Sequence, residues 1–223
     1  MTISTDAELY INYYSFLIEH KIIPNFYKTY LDHVLNHKQM VYLAWIYVAD
    51  TLCELNFITE TDFIGIDSKV NIHDDSKLKM DEFVPYAKRF NGPKPKDPIV
   101  KADFKSAVRL HKTRNLHHYE ALKSYKCENW KQYAVELVCD YIAMGWEFDN
   151  YICEYFEKVK GELKNDLPEE YYSFIESIIN IIPEKLPLAE EPLTENNIEY
   201  VYYCFNNHND PFEEYENESK VRY

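Results

Sequence analysis

Asp140 lies in the middle of the most apolar helical stretch of the chain, and any fold must accommodate it. Between Trp130 and Trp146, residues Ala134, Leu137, Val138, Tyr141, Ile142 and Met144 recur at helical spacing. Asp140 falls on the face shared by Leu137 and Met144. A core-facing ionised carboxylate is costly unless it is paired with a cation or bound to a metal. Residues of ligand type precede it at intervals: His37, the pair His73-Asp74, His111, and the pair His117-His118. Imidazole and carboxylate are common metal ligands, so the set reads as a candidate centre for one or two divalent ions in a helical core. Taken singly, each has a plainer reading. Asp140 would be half of a buried salt bridge, His37 a satisfied core histidine, His73 to Lys77 a capping segment, and His117-His118 a surface turn. His20, His33 and His208 have no such context and are read as surface residues.

Helical periodicity runs through nearly the whole chain. Ala7–Ile22 carries Leu9, Tyr13, Phe16 and Leu17 at 3–4 spacing, Pro24 then interrupts, and a second short helix follows. His37–Leu55 is amphipathic, with Val41, Ala44, Trp45, Val48, Leu52 and Leu55 on one side and His37 one turn before them. Further helices are expected over Thr61–Ile72, Asp81–Phe90, Asp103–Arg114, Trp130–Trp146, Tyr151–Leu163 and Glu169–Ile182, with Asn91-Gly92-Pro93, Pro95 and Pro98 forming a loop. The expectation is an all-α fold, a compact orthogonal bundle. Residues 1–183 form its helical domain, and 184–223 an acidic extension.

Composition narrows the function classes. Glycine is scarce at 4 residues, fewer than a hairpin-rich β fold needs. A formal net charge of −14 argues against general binding of duplex nucleic acid. No apolar run is long enough to span a membrane and no signal peptide opens the chain, so a cytoplasmic setting is expected. The 5 cysteines are odd in number and form no CxxC pair, as expected of free thiols in a reducing compartment. Cys53 and Cys139 are read as packed core thiols. Abundant Tyr, Asn, Ile and Lys fit an AT-rich genome, a phage or virus being one such source. In that case the setting is the host cytoplasm.

The order His37, His73-Asp74, Asp140 resembles the H…HD…D pattern of the HD-domain metal-dependent phosphohydrolases. Ile72-His73-Asp74-Asp75-Ser76-Lys77 is similar to that superfamily's L-H-D-x-G-K, with Ser76 in place of glycine. His111 and His117-His118 resemble the extra histidines of its two-metal subgroup, which includes cyclic-dinucleotide phosphodiesterases, although the interval from His111 to His117 is shorter than in that subgroup. The segments Asp81–Tyr86, Asn115–Glu120 and Cys139–Gly145 look like those of a phage and bacterial group of unknown function within the superfamily. The resemblance spans roughly residues 30–160. It implies His37, His73, Asp74, His111, His117, His118 and Asp140 as metal ligands. Asp74 would bridge two ions about 3.5–4 Å apart, and Lys77 would contact substrate. The ion could be Mn, Mg, Fe, Co or Zn.

The implied chemistry is hydrolysis of a phosphate ester in a nucleotide or another small phosphorylated molecule, by metal-activated water, with Asp74 and Lys77 as catalytic residues. Charge fits an anionic substrate. Lys77 to Arg114 holds eleven Lys or Arg against four Asp or Glu, a local +7 in an acidic chain. Lys88, Arg89 and Arg109, with Lys94 and Lys96, are candidates for a substrate-binding rim; the plainer reading is a solvated charged loop. Two other functions compete. One is a diiron oxygenase, known among HD-type proteins of the same ligand order. The other is a non-catalytic protein whose metal only stabilises the helices, or which binds a nucleotide without turning it over. In the tail, Tyr202, Tyr203 and Phe205 suggest packing, while Glu213-Glu214-Tyr215-Glu216 looks solvated. Covering the site and mediating a homodimer are both open roles for it.

Overall fold

The computed structural model describes residues 4–126, 128–148 and 152–182. These are helices and connecting turns, with no strand among the described residues, and they belong to one compact unit, Met1–Leu186. In chain order the elements are α1 (Thr5–Glu19), α2 (Phe26–Glu54), α3 (Glu60–Asn71), a 3₁₀ turn (Asp75–Leu78), α4 (Met80–Phe90), α5 (Pro98–Arg114), α6 (Tyr119–Leu122), α7 (Trp130–Glu147), α8 (Ile152–Asp166) and α9 (Glu169–Ile181). The all-α expectation holds. The acidic extension, including Tyr202, Tyr203, Phe205, His208 and Glu213–Glu216, lies outside the described residues, as do Cys127 and Cys204. No helix among the described residues is long and apolar enough to cross a membrane.

Two expected boundaries are corrected. Pro24 does not separate a short helix from the one carrying His37. It lies just before Asn25, its carbonyl accepts from the Tyr27 N–H at 3.2 Å, and α2 then runs unbroken for 29 residues. A proline outside the first turn removes no interior hydrogen bond. Pro98 is likewise the start of α5 and not loop. It occupies a first-turn position where a missing N–H is harmless, and the Asp97 carboxylate caps the helix by accepting from the Ile99 N–H at 2.8 Å. α3 begins with a capping box between Thr59 and Asp62.

The length of α2 positions the site. Its first half contributes Tyr30, Leu31 and Val34 to an apolar cluster shared with α1, α4 and α5. Its second half contributes Val41, Trp45, Val48 and Leu52 to a larger cluster shared with α3, α7, α8 and α9. His37 and Lys38 fall between the two stretches and are buried. α7 packs along α2 and α3, which brings Asp140 to the same level. The polar residues therefore collect at a seam between two apolar cores. Cys139 is buried as expected. Cys53 is exposed, because it faces away from the Val48–Leu52 stripe of α2.

Candidate metal centre

His73 and Asp74 are adjacent, and on a regular helix they would point to different faces. The chain solves this with backbone geometry. α3 ends at Asn71, and Asp74 takes a left-handed conformation with φ 58° before the 3₁₀ turn begins. Aspartate tolerates that region better than most residues. Both side chains then turn inward, and both residues are almost fully buried.

The turn is held from below by Lys38, whose side chain is fully buried. Its ammonium donates to the carbonyls of His73 at 2.5 Å and Asn71 at 3.4 Å, and to the Asp75 carboxylate. Asp75 also accepts from the Ser4 hydroxyl at 2.5 Å, which ties the start of α1 to the turn.

Two ligand sets meet at Asp74. On its Oδ2 side, His37 Nε2 lies 3.7 Å away and His73 Nε2 3.5 Å; Asp140 Oδ1 is 3.1 Å from the first and 3.8 Å from the second. On its Oδ1 side, His111 Nε2 lies at 3.1 Å and His117 Nε2 at 3.7 Å, with His118 completing a group that can hold an ion. Two donors bound to one ion at about 2.0–2.2 Å are separated by about 2.8–3.6 Å at tetrahedral or octahedral angles. The observed spacings lie in or just above that range. Among the described residues, His73 Nε2, His117 Nε2 and His118 Nε2 are buried without a hydrogen-bond partner, a costly arrangement for polar atoms that share no further ligand. The residues present therefore fit a divalent ion, and all seven ligand candidates of the sequence converge.

The opposite ring nitrogens of His73, His117 and His111 are tied to carboxylates. Glu136 Oε1 accepts from His73 Nδ1 at 3.0 Å and from His117 Nδ1 at 2.9 Å. Glu82 Oε2 accepts from His111 Nδ1 at 2.9 Å, and Glu147 Oε2 lies 3.6 Å from His37 Nδ1. Glu82 is itself held by the Ser76 hydroxyl at 2.8 Å and the Arg114 guanidinium at 2.8 Å. A proton kept on Nδ1 by a carboxylate leaves the Nε2 lone pair for the ion, the arrangement that metal-binding histidines commonly show.

Charge within the cluster is balanced locally. Burial opposes ionisation of Asp74, but Lys77, His73 and His111 hold it well below the usual carboxylate range. Burial likewise opposes Asp140, and its hydrogen bond to His37 and the charges of His73 and His37 hold it low. Burial works against a proton on His37 too, yet the nearby carboxylates of Asp140 and Glu147 push it up to about 9. His118 goes the other way, down to about 2, through burial and the nearby His117 and His111. Lys77 Nζ sits 2.5 Å from Asp74 Oδ2 with a fifth of its side chain exposed; burial opposes its charge, and Asp74 more than restores it.

The basic residues of the sequence divide. Lys77 belongs to the centre. Lys88 and Arg89 stand in the last turn of α4, where Arg89 lies over the Phe104 ring at 5.7 Å. Lys94 and Lys96 are exposed in the loop before α5. Arg109 is exposed on α5 and lines a hollow against α6. His33, read as a surface residue, is half-exposed and pairs with Glu147 at 3.1 Å, at the edge of the centre. His20 is exposed, and its ring lies 2.9 Å from the Phe16 carbonyl one turn earlier in the same helix.

Sequence reasoning missed Glu82, Glu136, Glu147, Arg114 and Lys38. Glu136 was within reach, since it precedes Asp140 by one helical turn and so shares its face. Lys38 was not, because a lysine beside a histidine on a helix reads as solvated.

No curated protein and no solved structure matches the chain. Residues 27–181, a segment that contains every ligand candidate, match a family described only as of unknown function, DUF5662, and the chain belongs to that family.

Proposed function

We propose that this chain is a metal-dependent phosphohydrolase acting on a nucleotide or another small phosphorylated molecule. The observation that carries the reading is Asp74, whose two carboxylate oxygens face different histidines while Lys77 contacts the same carboxylate from a partly open side. Divalent ions held by the two sets would supply Lewis-acid stabilisation of phosphoryl charge and acidify a water molecule. The protein's own contributions are positional and electrostatic. Glu136 and Glu82 fix the imidazoles of His73, His117 and His111, and the Lys77 ammonium offers a charge to a substrate oxygen. Convergence of His37, His73, Asp74 and Asp140 in an all-α fold supports the resemblance to the HD superfamily.

The test is a screen of nucleotides and small phosphoesters with protein loaded with Mn, Mg, Co, Fe or Zn under anaerobic conditions. Release of phosphate or of a phosphorylated product is expected, and His73→Ala should lower metal content and abolish turnover. Absence of hydrolysis with every metal would overturn the proposal. One observation favours a second reading, a diiron oxygenase: the His111, His117 and His118 set is rich in imidazole, which suits iron. That reading forecasts oxygen uptake with iron and no anaerobic turnover.

A further inference from the structure

We infer that the hollow between α5 and α6 is a second binding site, for a phosphate-bearing small molecule, separate from the histidine centre. The hollow is open to solvent on one side and has a volume of about 510 Å³, within the range of small-ligand sites. Lys105, Arg109 and Lys112 line it from α5 at intervals of four and three residues, which places them on one helix face. Glu120 pairs with Lys112. Lys105 and Arg109 form no ion pair among the described residues, so two unmatched cations face one concavity in a chain of net charge −14. Nothing in the packing requires them there, since both side chains are exposed and the α5 face that enters the core is the one bearing Ala107 and His111.

The lining chemistry selects the ligand class. The Arg109 guanidinium presents a planar fork that matches two phosphate oxygens, and Lys105 adds a second charge for a dianion. The Ser106 hydroxyl lies on the same wall, and Val108 and Ala121 offer an apolar surface for the organic part of the ligand. The separation from the metal centre follows from helix geometry. Arg109 and His111 are two residues apart, about 160° around α5, so one helix sends the histidine into the centre and the arginine into the hollow. The inference thus stands whether or not the centre hydrolyses phosphate esters.

The test is calorimetric titration of metal-free protein with adenosine 5′-monophosphate and with inorganic phosphate. Binding of at least one probe is expected. It should weaken at least tenfold in the Lys105→Ala/Arg109→Ala double variant and persist in His111→Ala. Both altered side chains of the double variant are exposed, so its melting temperature should match the parent and separate lost binding from lost fold. The inference is overturned if neither probe binds at millimolar concentration or if the double variant binds as tightly as the parent. It is also overturned if His111→Ala loses the binding while keeping the parent's helical circular dichroism and cooperative melt, because the ligand would then belong to the centre.

Discussion

His73 and His117 donate to the same oxygen of Glu136, from Nδ1 at 3.0 Å and 2.9 Å. One carboxylate on α7 thereby orients one histidine from each ligand set, and the two sets are mechanically joined behind the ligands as well as through Asp74. Glu136→Ala should loosen both rings and lower metal affinity about 10–100-fold, the usual effect of removing an outer partner. Glu136→Gln retains one acceptor and should lose less. Metal titration of both variants checks the order; equal affinity in Glu136→Ala and the parent would show that Glu136 does not orient the ligands.

Metal stoichiometry should distinguish the shared ligand from the unshared ones. Asp74→Ala removes the residue common to both sets and should lower metal content the most, leaving at most one ion on His73, His117 and Asp140. His37→Ala and His111→Ala each damage one set and should each retain up to one ion. Elemental analysis of protein purified without chelators gives the count, and thermal melts with and without metal give the accompanying loss of stabilisation. Retention of two ions in Asp74→Ala would exclude a bridging role.

Metal affinity should rise with pH. His37, with a value near 9, holds a proton at neutral pH in the ion-free cluster, and the carboxylates Asp74 and Glu82 around His111 and Glu136 beside His117 shift both of those rings in the same direction against their burial. An ion must displace protons held in this way, so binding releases them and strengthens as pH climbs toward 9. Calorimetry in buffers of different ionisation enthalpy counts the protons. Stability of the metal-free protein carries opposing contributions. His118, held near 2, binds its proton in the unfolded chain between that value and about 6.5, so its contribution is lost as pH falls through that window. His37 contributes fully below about 6.5 and loses its contribution as pH rises through 9.

Lys38 should be the most damaging single loss outside the ligands. Its fully buried ammonium satisfies two carbonyls and the partly buried Asp75 carboxylate. Lys38→Met removes the donors and leaves those acceptors buried, a cost of about 3–5 kcal/mol. Because the carbonyl of His73 is one of them, metal affinity should fall along with stability. Urea unfolding and metal titration of the folded fraction test the two effects separately.

The contrast between Asp140 and Lys38 shows how far the sequence could be read. A carboxylate among Leu137, Val138 and Tyr141 declares itself, because helical periodicity predicts its burial and burial predicts a partner. Histidines spaced among such stripes declare themselves for the same reason. Lys38 and Glu82 do not, because long charged side chains on short amphipathic stretches look solvated until the packing of α2 against the turn and α4 is known. Helix ends at Asp97 and Thr59 follow local capping rules, whereas the unbroken run of α2 past Pro24 depends on where the first turn falls. The basic segment from Lys77 to Arg114 was legible as a charge excess. Its division between the centre and the α5–α6 hollow follows from the rotation of each residue around its helix, which only the start point at Pro98 fixes.

Lys77 gives a prediction in which metal binding and turnover move in opposite directions. Its ammonium lies 2.5 Å from Asp74 Oδ2, the oxygen that also faces His37 and His73. A divalent ion on that oxygen shares it with a positive charge, which weakens the hold of the carboxylate on the ion. Lys77→Met keeps the length of the side chain and removes the charge. Metal affinity in this variant should be unchanged or a few-fold tighter, with the melting temperature of the metal-loaded protein preserved. Turnover of any phosphoester substrate should fall at least tenfold, because the ammonium no longer meets the phosphoryl oxygens. Metal titration and steady-state kinetics on one preparation read both effects. A variant that loses metal would make Lys77 a support for the ligands. One that keeps full turnover would remove it from the catalytic residues.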